Sequence, residues 1–105
     1  MLDDYRAIVG ETYLLTGEGA ARWTTDATGK MKATPLAVAR PANTAEVAAL
    51  VTAANAAGQA IVPAGGLTGL TGATAAEGAL VISLDRMNAI REIRQDARSA
   101  VVEAG

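Results

Sequence analysis

Residues 36–72 read LAVARPANTAEVAALVTAANAAGQAIVPAGGLTGLTG, and their order decides the fold class. Leu36-Ala37-Val38-Ala39 is a short apolar run closed by Arg40-Pro41 and predicts a strand. Asn43 can cap the helix that comes next, with Glu46 three residues on in a capping-box arrangement. Val47, Leu50, Val51 and Ala54 then fall at i, i+3, i+4 and i+7, and Gly58 supplies the stop. Ala60-Ile61-Val62-Pro63 predicts a second buried strand. After it comes a run of glycine, alanine and threonine, and then a third strand over Leu80-Val81-Ile82-Ser83-Leu84. The segment 36–84 is therefore strand, helix, strand, glycine loop, strand. The strands flanking the helix should be parallel, joined by a right-handed crossover.

Outward from this unit the signals weaken. Leu2, Tyr5, Ile8 and Val9 sit at helical spacing ahead of Gly10 and predict a short helix. Residues 11–34 are polar and rich in Thr and Gly, and read as an excursion over a surface anchored by Trp23. Asp26, Lys30 and Lys32 read as solvated loop charges there. Ala89 to Arg94 and Ser99 to Ala104 predict a β-hairpin around Gln95-Asp96-Ala97-Arg98, with Arg91, Glu92, Arg94 and Asp96 facing solvent. Glu103 is placed on a strand expected to be half-buried, where an arginine is a candidate partner that the sequence does not single out. Arg86-Met87-Asn88 reads as a strand-exit turn with Met87 turned to the core. The organisation expected is an N-terminal helix and surface excursion over 1–34, then an α/β unit over 35–105.

Composition narrows the function classes. The chain has 105 residues, half of them apolar, and 25 of those are alanine; aromatics are limited to Tyr5, Tyr13 and Trp23. Such a core buries less area per residue than one of Leu and Phe, so the chain is expected to lean on a larger unit. No helix is expected after the last strand to cover the second face of the sheet, which points the same way. Net charge is −2 with only two lysines, which argues against a nucleic-acid partner. With no Cys and no His, thiolate chemistry and the commonest general base and metal ligand are missing, and neither a metal site nor a catalytic residue is assigned. An acidic start and no apolar run of spanning length lead to the expectation of a soluble, cytoplasmic protein.

The chemistry resides in Ala64-Gly65-Gly66-Leu67-Thr68-Gly69-Leu70-Thr71-Gly72, with four glycines in eight residues directly after a strand. Without side chains, successive amide N–H groups can converge on one point and hold an anion, phosphate in particular. Thr68 and Thr71 add hydroxyls, and no Lys or Arg lies in the loop. The spacing G-G-x-x-G-x-x-G is neither the dinucleotide fingerprint, which opens a helix, nor the Gly-Lys-Ser/Thr phosphate loop. By composition alone the same segment is equally a flexible surface connection.

Five features in order carry a resemblance. They are Val38 to Pro41 with Asn43-Thr44-Ala45-Glu46-Val47; Ala57-Gly58 before Ile61-Val62-Pro63; Gly65-Gly66 with Thr68-Gly69-Leu70 and Gly72; Val81 to Leu84 before Arg86-Met87-Asn88; and Ala100-Val101-Val102-Glu103-Ala104-Gly105. From Pro35 to Gly105 the chain resembles the start of the FAD-binding domain of vanillyl-alcohol-oxidase-type (PCMH-type) flavoproteins. It is most similar to the branch of D-lactate, glycolate and D-2-hydroxyglutarate dehydrogenases. The resemblance implies a partial α/β FAD-binding lobe whose short parallel strands and crossover helix precede the hairpin. It implies that Gly65, Gly66, Leu67, Thr68, Gly69, Leu70 and Gly72 wrap the FAD pyrophosphate, the amides facing its charges and Thr68 offering its hydroxyl. Ala64, Leu67 and Ala73 depart from the Arg or Gln, the Asn, Gly or His, and the Gly that similar proteins often carry. Without a histidine the segment offers no covalent flavin tether. The intact protein is expected to oxidise a D-2-hydroxy acid to a 2-oxo acid, together with the remainder of the FAD domain or a partner subunit. The alternatives are a non-catalytic nucleotide-binding or subunit-interaction module, or an oxidase or aldonolactone-type relative.

Overall fold

In the computed structural model, which describes residues 2–105, alternate residues of two central strands point to opposite faces and build two separate cores. Strand β1 is Leu14–Leu15, β2 Ala37–Ala39, β3 Ile61–Ala64 and β4 Leu80–Ser83; helix α1 is Leu2–Val9 and α2 Thr44–Ala56. The sheet order is β1-β2-β4-β3. Both β2 and β3 run parallel to β4, so the strands flanking α2 are parallel as expected, with β4 inserted between them. Strand β1 closes the sheet antiparallel to β2.

One face of the sheet buries Ala37 and Ala39 of β2 and Leu80 and Ile82 of β4 beneath Tyr5 and Val9 of α1 and Leu50 and Ala54 of α2. The other buries Val38 and Val81 with Ala20, Trp23, Ala64, Ala76 and Ala79. The two-residue period of a strand sorts these side chains. The second face is thus covered without a following helix: a 3₁₀ segment, Gly17–Trp23, and the far end of the glycine loop lie over it. The side chains these irregular segments bring to it, Ala20, Ala76 and Ala79 beside Trp23, are mostly small. Residues 11–34 therefore do more than cross a surface, since they contribute a strand and the anchor Trp23.

Helix α2 starts where the sequence predicts. The Asn43 side chain accepts from the Glu46 amide at 2.9 Å, and the Glu46 carboxylate accepts from the Ala42 amide at 2.6 Å. Its buried stripe is Leu50 and Ala54, flanked by the half-buried Val47 and Ala53; Val51 is exposed instead of inward. Asp26 also departs from expectation. It is buried, accepting from the Thr28 hydroxyl at 2.8 Å and the Met31 amide at 3.2 Å. The Thr28 hydroxyl is the main influence holding its carboxyl below the usual range, reinforced by backbone amides and opposed by burial.

The hairpin pairs β5, Ile90–Arg94, with β6, Ser99–Val102, as a separate sheet. Both strands are exposed throughout, including Ile90, Ile93, Val101 and Val102, so the second is not half-buried as expected: it pairs only with β5 and packs on no other layer. Glu103 pairs with Arg91 at 3.0 Å and accepts from the Ala89 amide. That amide first, then Arg91, holds its carboxyl low. Among the described residues no helix is long and apolar enough to cross a membrane.

Candidate functional site

Three parallel strands end on the same edge of the sheet, and the residues just beyond their ends shape that edge. In open α/β sheets this carboxyl edge is where ligands bind. Arg40 comes after β2, the glycine loop after β3, and Asp85 and Arg86 after β4. Asp85 pairs with Arg40 at 3.1 Å and with Arg22 at 3.7 Å. The Arg86 guanidinium stacks 3.5 Å from the Tyr13 ring centre and donates to the Arg40 carbonyl. These contacts tie β1, β2, β4 and the 3₁₀ segment together. The Arg86-Met87-Asn88 turn is a strand exit as read from sequence, with Met87 half-buried.

The loop from Gly65 to Gly72 has no helix or strand of its own, and it is held at both ends. At its start the Leu84 amide donates to the Ala64 carbonyl at 2.8 Å, extending the β3–β4 ladder. A Cβ on Gly65 would lie 3.1 Å from the Ala104 carbonyl oxygen, so the end of the hairpin closes over this glycine. At the far end Gly72 has φ +76° and packs beneath Met31, whose Cγ would be 3.2 Å from a Cβ. Beyond it the Gly78 and Leu36 amides donate to the Thr34 and Ala79 carbonyls, anchoring the return limb.

Between these anchors the tip is open. Gly66, Thr68, Gly69, Leu70 and Thr71 are exposed, with Leu70 74% accessible. A Cβ on Gly69 would meet nothing within 4 Å, and one on Gly66 only the Thr68 methyl at 3.9 Å. Neither residue has positive φ. The fold therefore explains Gly65 and Gly72 but gives no internal reason for glycine at 66 and 69. A side chain there would fill only space outside the chain. This arrangement fits a diphosphate, which needs bare amides more than side chains.

Leu67 is the exception within the tip. Its φ of 60° lies in the left-handed region, which costs a non-glycine residue roughly 1–2 kcal/mol. Its side chain is half-buried against the second core. A polar hollow of about 450 Å³, lined by Thr24, Thr25, Lys32, Ala33, Thr34 and Glu77, adjoins the return limb. Lys32 and Glu77 oppose each other in charge there, so it offers a diphosphate no net attraction.

All seven residues predicted to contact the cofactor thus lie on one loop, divided between pinned ends and an open tip. The Arg40–Asp85 pair was not legible in the sequence, since the two residues lie 45 positions apart.

Residues 35–105 match the family described as FAD binding domain. The chain belongs to that family. FAD is accordingly the cofactor of the domain. The D-2-hydroxyglutarate dehydrogenase of Xanthomonas citri pv. viticola is 46% identical over 81 residues, covering 76% of this chain and 17% of the relative. That of Stutzerimonas stutzeri is 36% identical over 107 positions, covering 100% and 23%. The chain therefore spans about a fifth of the length of these curated relatives. In fold it matches a substrate-bound p-cresol methylhydroxylase with a TM-score of 0.84 at 21% identity, over 99% of this chain and 21% of that one. The 4-ethylphenol oxidase of Gulosibacter chungangensis matches at 0.83 and 24% identity, with the same coverage. These neighbours bear out the PCMH-type α/β fold.

Proposed function

We propose that Gly65, Gly66, Leu67, Thr68, Gly69, Leu70 and Gly72 hold the diphosphate of FAD in a flavin-dependent oxidoreductase that converts a D-2-hydroxy acid to a 2-oxo acid. The observation that carries the site is the pair Gly66 and Gly69, glycines for which the chain itself supplies no steric or conformational cause. The names of the two curated relatives support the substrate class. Exposed amides at the tip would face the phosphate oxygens, with the Thr68 hydroxyl as a further donor. Hydrogen bonds to a charged acceptor contribute about 1.5–3 kcal/mol each, so a few suffice for retention without a basic side chain. When bound, the flavin would supply a two-electron acceptor for oxidation of the substrate alcohol. The groups of this chain bind and orient; the base and the substrate-carboxylate partners belong to the rest of the intact protein. A cytoplasmic location is part of the same proposal.

The test is spectroscopic. The intact protein should show a bound-flavin absorbance band that bleaches without oxygen on adding D-2-hydroxyglutarate and not its L enantiomer. Bleaching with neither this acid nor D-lactate would sink the substrate class. A colourless protein that takes up no FAD would leave a non-catalytic interaction module.

A further inference from the structure

Ser83 is the last residue of β4 and is fully buried, yet its hydroxyl has no hydrogen-bond partner within the protein. It lies directly across from Ala64, one residue before the glycine loop begins. By strand alternation it shares a face with Val81, in the core that also holds Ala64 and Trp23. The Trp23 indole N–H is a second buried donor on this face without a protein partner. Arg22, its neighbour, reaches Asp85 just past Ser83, which sets the 3₁₀ segment near the same edge.

A buried hydroxyl left unpaired is costly, and buried polar groups in folded proteins are overwhelmingly hydrogen-bonded. Alanine would fill this strand position without that cost. The chain elsewhere places alanine freely in its core, at Ala37, Ala39, Ala64, Ala76 and Ala79. The residue packed onto this face from the loop is Leu67, held in a left-handed conformation unfavourable to it. Leu67 thus packs on the face that Ser83 shares, in a backbone conformation it would gain by leaving.

We propose that Ser83 is a further cofactor-binding residue, donating its hydroxyl hydrogen bond to the diphosphate of FAD once Leu67 gives way. The inference rests on the glycine loop being the diphosphate site. It adds a donor from β4 to those of the loop, so the anion is held from two strands rather than one.

The test uses flavin-stripped intact protein titrated with FAD, ADP and riboflavin, which have the diphosphate in common only for the first two. Ser83→Ala should weaken FAD and ADP alike, by about tenfold, the value of one hydrogen bond to a charged group. Riboflavin binding should be unchanged. The stripped variant should unfold at the same temperature as the parent or higher, because an unpaired buried hydroxyl has been removed. Ser83→Cys, near in size and a weak donor, should read the same loss if alanine lets the edge collapse. A change below threefold for FAD and ADP in both variants overturns the inference, as does an equal loss for riboflavin. A lower unfolding temperature of both stripped variants also overturns it, since the hydroxyl would then serve the fold. If the parent binds neither FAD nor ADP, the loop assignment itself has failed.

Discussion

Replacing each loop glycine by alanine in turn separates a ligand's demands from the fold's. Gly66 and Gly69 have room for a methyl and no left-handed backbone, so the substitution strains nothing in the unliganded chain. It reduces the freedom of the unfolded chain instead, stabilising by about 0.4–1 kcal/mol where the native conformation is compatible. Gly72 differs: at φ +76° an alanine costs roughly 1–2 kcal/mol, and Met31 must also move. At Gly65 the new methyl would press on a backbone carbonyl, that of Ala104, which can yield only by shifting the chain. The stripped intact protein should therefore melt no lower than the parent as Gly66→Ala or Gly69→Ala, and lower as Gly65→Ala or Gly72→Ala. FAD affinity should run the other way for the first pair. A methyl that displaces the diphosphate from one amide forfeits about 1.5–3 kcal/mol, roughly a 10- to 150-fold rise in Kd. Thermal melts of the stripped variants and FAD titrations followed by flavin fluorescence supply both readings. FAD binding within threefold of the parent for Gly66→Ala and Gly69→Ala, or melts as depressed as that of Gly72→Ala, would show that glycine at 66 and 69 serves the fold or nothing at all, not the diphosphate.

Two further outcomes rest on the same geometry. Leu67→Asn should leave stability within about 1 kcal/mol of the parent, because relief of the left-handed backbone offsets lost packing, whereas Leu67→Val should cost more, since a β-branched residue tolerates positive φ least; the reverse order in chemical denaturation would show that packing dominates. Because the Asp26 carboxyl is held low by its donors, its stabilisation is full above its unfolded pKa and fades as pH falls below about 4, so the stability gap between parent and Asp26→Asn should narrow from pH 6 to pH 3; a constant gap would contradict this.

Much of the α/β unit was legible because its signals are local. Asn43 and Glu46 define a helix start by side-chain chemistry, and Ile61-Val62 and Leu80 to Ile82 mark strands by β-branched and apolar content. What escaped depends on contacts between distant segments. Leu14-Leu15 is too short to show a period, and it becomes a strand only because β2 offers it an edge. Asp26 reads as a loop charge until Thr28 and Met31 fold around it. Val51 fits the helical spacing, but the sheet it would face ends at β3, so α2 turns Leu50 and Ala54 inward instead. The glycine cluster was visible as a whole, whereas its division into pinned ends and free tip needs the positions of Met31 and Ala104.

A crystal structure of the intact protein with FAD bound locates the diphosphate directly. Phosphate oxygens are expected within hydrogen-bonding distance of amides in the 66–69 tip. Density placing the diphosphate away from residues 65–72, with that tip facing solvent, would contradict this.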